Sequence, residues 1–146
     1  MKLRMADVTR GDYKTFNQMH LAFRYAEINP NLEMERKPVI KDYEDYYIYA
    51  GNEWIYFAMK DGDEIGYVVM TAYDDMSVKL EEVFICKKYQ RKGNGKKFVK
   101  KIVEFLKDNG MKKVEVFSAT MATDAFWAAC NFRSVNGSEM FEYEIK

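Results

Sequence analysis

Two cysteines, two prolines and one histidine are all that the 146 residues hold of three residue types with special chemistry. Cys86 and Cys130 are too few for a disulfide framework. With a single His they also fall short of an ordinary structural zinc site unless carboxylates join, so both thiols read as reduced and no metal is expected. No apolar run approaches the ~18 residues of a membrane span. The start, Met1-Lys2-Leu3-Arg4-Met5-Ala6-Asp7, returns to charge before any hydrophobic signal region forms. The expectation is a cytoplasmic protein with no membrane partner. Charge of one sign is also missing in surplus, with 23 Lys+Arg against 23 Asp+Glu. That balance speaks against a general nucleic-acid binder, whose affinity needs excess cations to displace counterions. No repeat, low-complexity tract or Pro/Gly/Ser linker divides the chain, so one domain over residues 1–146 is expected. What is present is 48% hydrophobic and 16% aromatic. A chain of this length buries roughly 68–70% of its unfolded surface, which excludes wholesale disorder.

Charge is uneven along the chain. Residues 86–101 carry eight bases and no acid, whereas residues 27–53 carry seven acids and three bases. Either these are two solvated faces, or an anionic ligand and a cationic one bind in neighbouring places.

The hydrophobic pattern predicts the element order β-α-α-β-β-β-α-β-α-β. A strand over 2–8 precedes a helix that Thr9 caps, with Tyr13, Phe16, His20 and Phe23 at helical spacing. An irregular loop is expected over 28–40, then a tyrosine-rich helix around Asp42–Tyr49. Trp54–Lys60 and Ile65–Tyr73 read as an antiparallel hairpin around Asp61-Gly62-Asp63-Glu64. A strand over Val78–Cys86, a helix from Lys96 to Asn109-Gly110, a strand over Lys113–Ser118, a short helix Met121–Cys130 and a strand Glu139–Ile145 complete the chain. The fold class is α/β: a mixed sheet covered by helices.

The segment Leu80-Glu81-Glu82-Val83-Phe84-Ile85-Cys86-Lys87-Lys88-Tyr89-Gln90-Arg91-Lys92-Gly93-Asn94-Gly95-Lys96 runs from an apolar strand through a turn into an amphipathic helix. Backbone N–H groups of residues 91–96 can converge there on an anion. A third glycine for a dinucleotide fingerprint, and the Gly-Lys-Ser/Thr of a P-loop, are both missing.

Gln90-Arg91-Lys92-Gly93-Asn94-Gly95 resembles the Gln/Arg-x-x-Gly-x-Gly/Ala signature of the GNAT superfamily of acetyl-CoA-dependent N-acetyltransferases. Ile65-Gly66-Tyr67-Val68-Val69-Met70 looks like that family's preceding strand. The resemblance implies a mostly antiparallel sheet with helices on both faces and splayed central strands. By resemblance, the amides of Arg91, Lys92, Gly93, Asn94, Gly95 and Lys96 hold the coenzyme A pyrophosphate. The backbone of Val83, Phe84 and Ile85 meets the pantetheine arm, and an amide near Ile85 polarises the thioester oxygen.

Glu81 stands where related proteins carry a proposed base, and Glu82, expected on the opposite face by strand alternation, is the reserve. Either could instead be a plain strand residue. The family's usual acid is a Tyr in a Phe-Tyr-x-x-x-Gly-Phe context. Here Phe126-Trp127-Ala128-Ala129-Cys130-Asn131-Phe132 puts Trp127 at the Tyr and Asn131 at the Gly. An indole only donates hydrogen bonds and is no ordinary acid. Trp127 packs either on the cofactor arm or in the core. Thr120 and Thr123 are further candidate contacts.

The implied reaction is acetyl transfer to a primary amine, small and cationic or part of a protein. The alternative is a catalytically weak module that binds acyl-CoA, and a homodimer is left open. Acids such as Glu27, Glu33, Glu35, Asp42, Glu44 and Asp45 would favour a cationic acceptor. Tyr43, Tyr46, Tyr47 and Tyr49 line its pocket or the core. His20 reads as a packed residue and Cys130 as core. Cys86 has no partner placed to activate it as a nucleophile.

Overall fold

A computed structural model describes residues 1–27, 40–118 and 121–146. The loop expected over 28–40 lies almost wholly outside the described residues, as does Thr120. The strands are β1 (Lys2–Met5), β2 (Trp54–Lys60), β3 (Asp63–Ala72), β4 (Ser77–Ile85), β5 (Lys113–Phe117), β6 (Arg133–Ser134) and β7 (Met140–Glu144). The helices are α1 (Arg10–Glu27), α2 (Tyr43–Asn52), α3 (Asn94–Asp108) and α4 (Met121–Ala129). The strands form one sheet in the order β1-β2-β3-β4-β5-β7-β6. Its pairs are antiparallel except β4 with β5.

Local chemistry explains the element ends. Thr9 Oγ1 accepts the Asp12 N–H at 3.1 Å at the start of α1, and Asp42 accepts the Asp45 N–H at 2.9 Å at the start of α2. The hairpin turn is tighter than expected, because Lys60 pairs with Asp63 and only Asp61-Gly62 lies between them. Both take positive φ, the twist that matches the flanking strands. Helix α3 begins two residues earlier than expected. The two-residue β6 was not expected at all, being too short to show a period.

Helices cover both faces. On one, Phe98, Val99, Ile102 and Leu106 of α3 and Trp127 of α4 pack with Val68, Met70, Leu80 and Val114 of the sheet. Each such side chain contributes about 1.5–3 kcal/mol by burial. On the other face, Phe16 and Met19 of α1 and Tyr46 of α2 meet Ile55, Phe57, Tyr67, Val69 and Phe84. Covered from both sides, β3 is buried from Ile65 to Met70 without a break.

Candidate active site

The turn after β4 is held by side chains that bond back to the backbone. Gln90 Nε2 donates to the Ile85 carbonyl at 2.7 Å. Asn94 Nδ2 donates to the Tyr89 carbonyl at 2.9 Å, and Lys60 Nζ reaches Asn94 Oδ1 at 3.4 Å. Arg91 and Gly93 both take left-handed backbone, φ 59° and 79°, the kind of alternation of hand that lets neighbouring N–H groups share one concavity. Gly93 caps helix α3 with no side chain, so the first-turn N–H groups are not taken up by one. A Cβ on Gly93 would meet nothing within 4 Å: the space above it is open. Lys87, Lys88, Arg91, Lys92, Lys96 and Lys97 are all exposed around it. Gly95 also makes room for packing. A Cβ there would lie 3.2 Å from the Phe126 ring, so its smallness lets α4 pack on the start of α3. Asn94 is buried and offers a ligand its backbone alone.

Strand β4 leads straight into this turn. It pairs with β5 only from Ser77 to Leu80, and among the described residues Glu81 to Ile85 have no strand partner on that edge. This is the expected splay. Cys86 N–H bonds the Ile65 carbonyl at 2.8 Å. The antiparallel alternation turns Phe84 towards β3 as well, and the N–H groups of Val83 and Ile85 towards the gap. The expectation for Val83, Phe84 and Ile85 therefore divides: the backbone of Phe84 is spent on β3, and its ring lies in the α1-side core.

A β-bulge sits where the splay begins. Val69 pairs with Glu82 and Met70 with Leu80, leaving Glu81 as the extra residue. The bulge resets the alternation, which corrects the expectation that the two carboxylates point to opposite faces. Leu80 lies in the α3-side core, while Glu82 bonds His20 of α1 and Tyr67. The Tyr49 hydroxyl of α2 has its pKa raised by burial and then by the charge of Glu81, with Glu82 a smaller contribution. Both carboxylates thus face the α1/α2 side. Glu81 is partly exposed and pairs loosely with Lys79 at 3.9 Å.

Of the remaining predicted residues, Thr123 shares a 2.7 Å hydrogen bond with Ser118, whose hydroxyl donates to Asp124 at 2.5 Å. This polar cluster joins the end of β5 to α4. Trp127 is 6% exposed and packs between Phe126 and Phe132, ring centroids 5.1 and 5.0 Å away. Its place is the core. Asn131 adopts φ 68°, standing in the left-handed position as expected of a residue that replaces Gly. Burial pushes the Cys86 and Cys130 thiols up, the wrong direction for a nucleophile. Tyr46 is fully buried, with its hydroxyl on the Asp7 carbonyl, and Tyr43 bonds the Val8 carbonyl at 3.0 Å. Tyr47 is exposed, and Tyr49 is the tyrosine of α2 that senses the charge of Glu81. Among the described residues no group of three or more His, Cys, Asp and Glu is placed to hold a metal ion, and no helix is long and apolar enough to cross a membrane.

The sequence model of the acetyltransferase (GNAT) family matches residues 19–132, a span that takes in the splay, the bulge and the turn. The chain belongs to the GNAT acetyltransferase family. A search of curated proteins found no match. Among solved structures, a GNAT-family acetyltransferase from Staphylococcus aureus is 15% identical with a TM-score of 0.74, the match covering 99% of each chain. The PaiA N-acetyltransferase of Thermoplasma acidophilum, solved with coenzyme A, is 15% identical at a TM-score of 0.73, again over 99% of each chain. The ribosomal-protein-S18-alanine N-acetyltransferase of Escherichia coli is 12% identical at 0.69, over 99% of this chain and 94% of that one. These likenesses show the fold. Within the GNAT frame, the side-chain braces from Gln90 and Asn94 and the buried partners of Glu82 are what sequence reasoning missed. Gln90 and Asn94 were visible as parts of the motif, though not their bonds to the backbone; the partners of Glu82 join residues far apart in the chain.

Proposed function

We propose that the protein moves acetyl from acetyl-CoA to a primary amine by direct transfer. The observation that carries this is the unpaired edge of β4 from Glu81 to Ile85, ending in a cation-rimmed turn with open space over Gly93. The N–H groups of residues 91–96 hold the pyrophosphate, and exposed Lys and Arg around them neutralise its charge. The Val83 and Ile85 backbone binds the pantetheine arm as an added strand. Bound there, acetyl-CoA supplies an acetyl thioester and a thiol leaving group. The Ile85 N–H donates towards the carbonyl oxygen as negative charge grows on it. Glu81 takes a proton from the acceptor, since an ammonium of pKa about 10 has no lone pair for attack. With Trp127 in the core, no acid is needed from α4: a thiol of pKa about 8.5 leaves as thiolate near neutrality.

The acceptor is a cationic amine, small or on a protein. The carboxylates of Glu81 and Glu82 and the Tyr49 hydroxyl form its side of the site. The N-acetyltransferase names of two of the structural relatives support the amine class. The test is thiol release from acetyl-CoA against a polyamine, an amino sugar and peptides with a free lysine or N-terminus. Amine-dependent release with acetylated product is expected. Coenzyme A binding without any such release overturns the proposal in favour of a binding module.

A further inference from the structure

Strand β3 has one residue without a side chain, and acetyl transfer as described gives it no task. Gly66 is buried and pairs with Ile85 of β4. A Cβ built on it would lie 2.1 Å from the Phe84 carbonyl oxygen, 3.1 Å from that carbonyl carbon and 2.9 Å from Ile85 Cδ1. Among the described residues it is the one glycine whose added Cβ would meet backbone; at the others it would meet side chains or open space. Gly66 does not take positive φ, so no left-handed backbone demands glycine here. The demand comes from the Phe84 carbonyl, which fills the space a side chain needs. A second bulge lies beside it: Ala58 pairs with Gly66 and Met59 with Glu64, leaving Ile65 as the extra residue.

The Phe84 carbonyl and the Ile85 N–H are the two ends of one planar trans peptide. A carbonyl laid against Gly66 therefore sends the N–H the opposite way, into the gap beside β4. The next peptide is held separately, its carbonyl by Gln90 Nε2 at 2.7 Å and its N–H by the Ile65 carbonyl at 2.8 Å. Two consecutive peptides are thus fixed, and the direction of the Ile85 N–H follows from the first.

We propose that Gly66 is a positioning residue for the oxyanion donor: its missing side chain lets the Phe84 carbonyl lie against β3 and so aims the Ile85 N–H at the thioester oxygen. This rests on the acetyl-transfer reading above. As the amine nitrogen attacks, the C=O electron pair moves onto oxygen, and a donor already fixed in direction stabilises that charge most. A methyl at position 66 pushes the peptide aside, because a carbonyl within a close-packed sheet cannot swing away as the end of a side chain does. The turned N–H then points past the oxygen. The cradle of residues 91–96 lies further along the chain and keeps its hold on the pyrophosphate, so the loss falls on turnover and not on donor affinity.

Amide hydrogen exchange reads the wild type first. In the free protein the Ile85 N–H should exchange faster than those of Phe84 and Cys86, which face β3, and acetyl-CoA should slow it. An Ile85 N–H as protected as theirs without ligand overturns the proposal. Gly66→Ala is then compared with wild type, using acetyl-CoA labelled with 13C at the thioester carbonyl and the best amine of the panel. Its kcat should fall by more than about tenfold with coenzyme A affinity unchanged, and the infrared stretch of the bound carbonyl should return towards that of free acetyl-CoA. Gly66→Ala/Ile85→Val removes the Cδ1 contact and keeps the carbonyl contact. It should be as slow, and it stands in where the single variant does not fold. Wild-type kcat and carbonyl frequency in the single variant, their recovery in the double, or an equal loss of affinity and turnover each defeats the proposal alone. A wild type that binds acetyl-CoA and acetylates no amine defeats the acetyl-transfer reading with it.

Discussion

The layers on the two faces of the sheet are made of different chemistry. Against α3 the contact is apolar, through Phe98, Val99, Ile102 and Leu106. Against α1 and α2 it is aromatic, and it encloses the buried side chains of His20 and Glu82. The α3 layer holds β4 and the turn, where the proposed function needs only backbone N–H groups. The α1 layer places side chains. On the proposed reading, donor binding and acceptor chemistry draw on opposite layers and meet at the bulge in β4.

Substitutions that separate the layers sharpen this contrast. The largest effect is expected from Gly93→Asp, which puts a carboxylate against the pyrophosphate and a Cβ on left-handed backbone. Coenzyme A affinity should fall more than about a hundredfold, about 2.7 kcal/mol, as read by calorimetry. Retained affinity would break the donor half of the comparison. Glu81→Gln acts on the other layer. Its turnover should drop by about ten- to a hundredfold with coenzyme A affinity unchanged, and a parallel loss of affinity would erase the division. Gln90→Ala removes the brace on the Ile85 carbonyl and should weaken coenzyme A binding by about fivefold, about 1 kcal/mol, with the acceptor KM untouched.

The smallest effect concerns how α1 is tied down. Arg4 holds Asp12 through hydrogen bonds of 2.9 and 3.1 Å, and this keeps the Asp12 carboxyl below the usual carboxylate range. A carboxyl lowered in the folded state stabilises fully above its unfolded value, about 3.9, and loses that contribution as pH falls through the lower folded value. Asp12→Asn should therefore cost about 0.5–1 kcal/mol at neutral pH, with a melting difference from wild type that closes in acid. A difference that persists there would mean packing, not charge, anchors this layer.

The same division decided what the sequence made legible. The cradle was readable because its logic is local: strand, turn and amphipathic helix follow one another within twenty residues, and Gly93 marks the left-handed position. The hairpin and most strands were readable for the same reason, through period and turn residues. The α1-side network was not. His20, Tyr67 and Glu82 lie 47 and 62 residues apart along the chain, and only the folded sheet brings them together. A single inserted residue at the bulge also defeats alternation, which put Glu82 on the wrong face. Trp127 could be weighed but not placed, since an aromatic residue on a short helix suits a core and a ligand wall equally.

The account depends on one contact, the backbone of residues 91–96 around the pyrophosphate. Its most direct test follows the backbone amides in 15N-labelled protein during titration with acetyl-CoA. The largest shifts and the strongest new exchange protection should fall on Gly93, Asn94, Gly95 and Lys96, with a second group at Val83 and Ile85. Saturating shifts confined to other strands and helices, or no shifts at all, would contradict it.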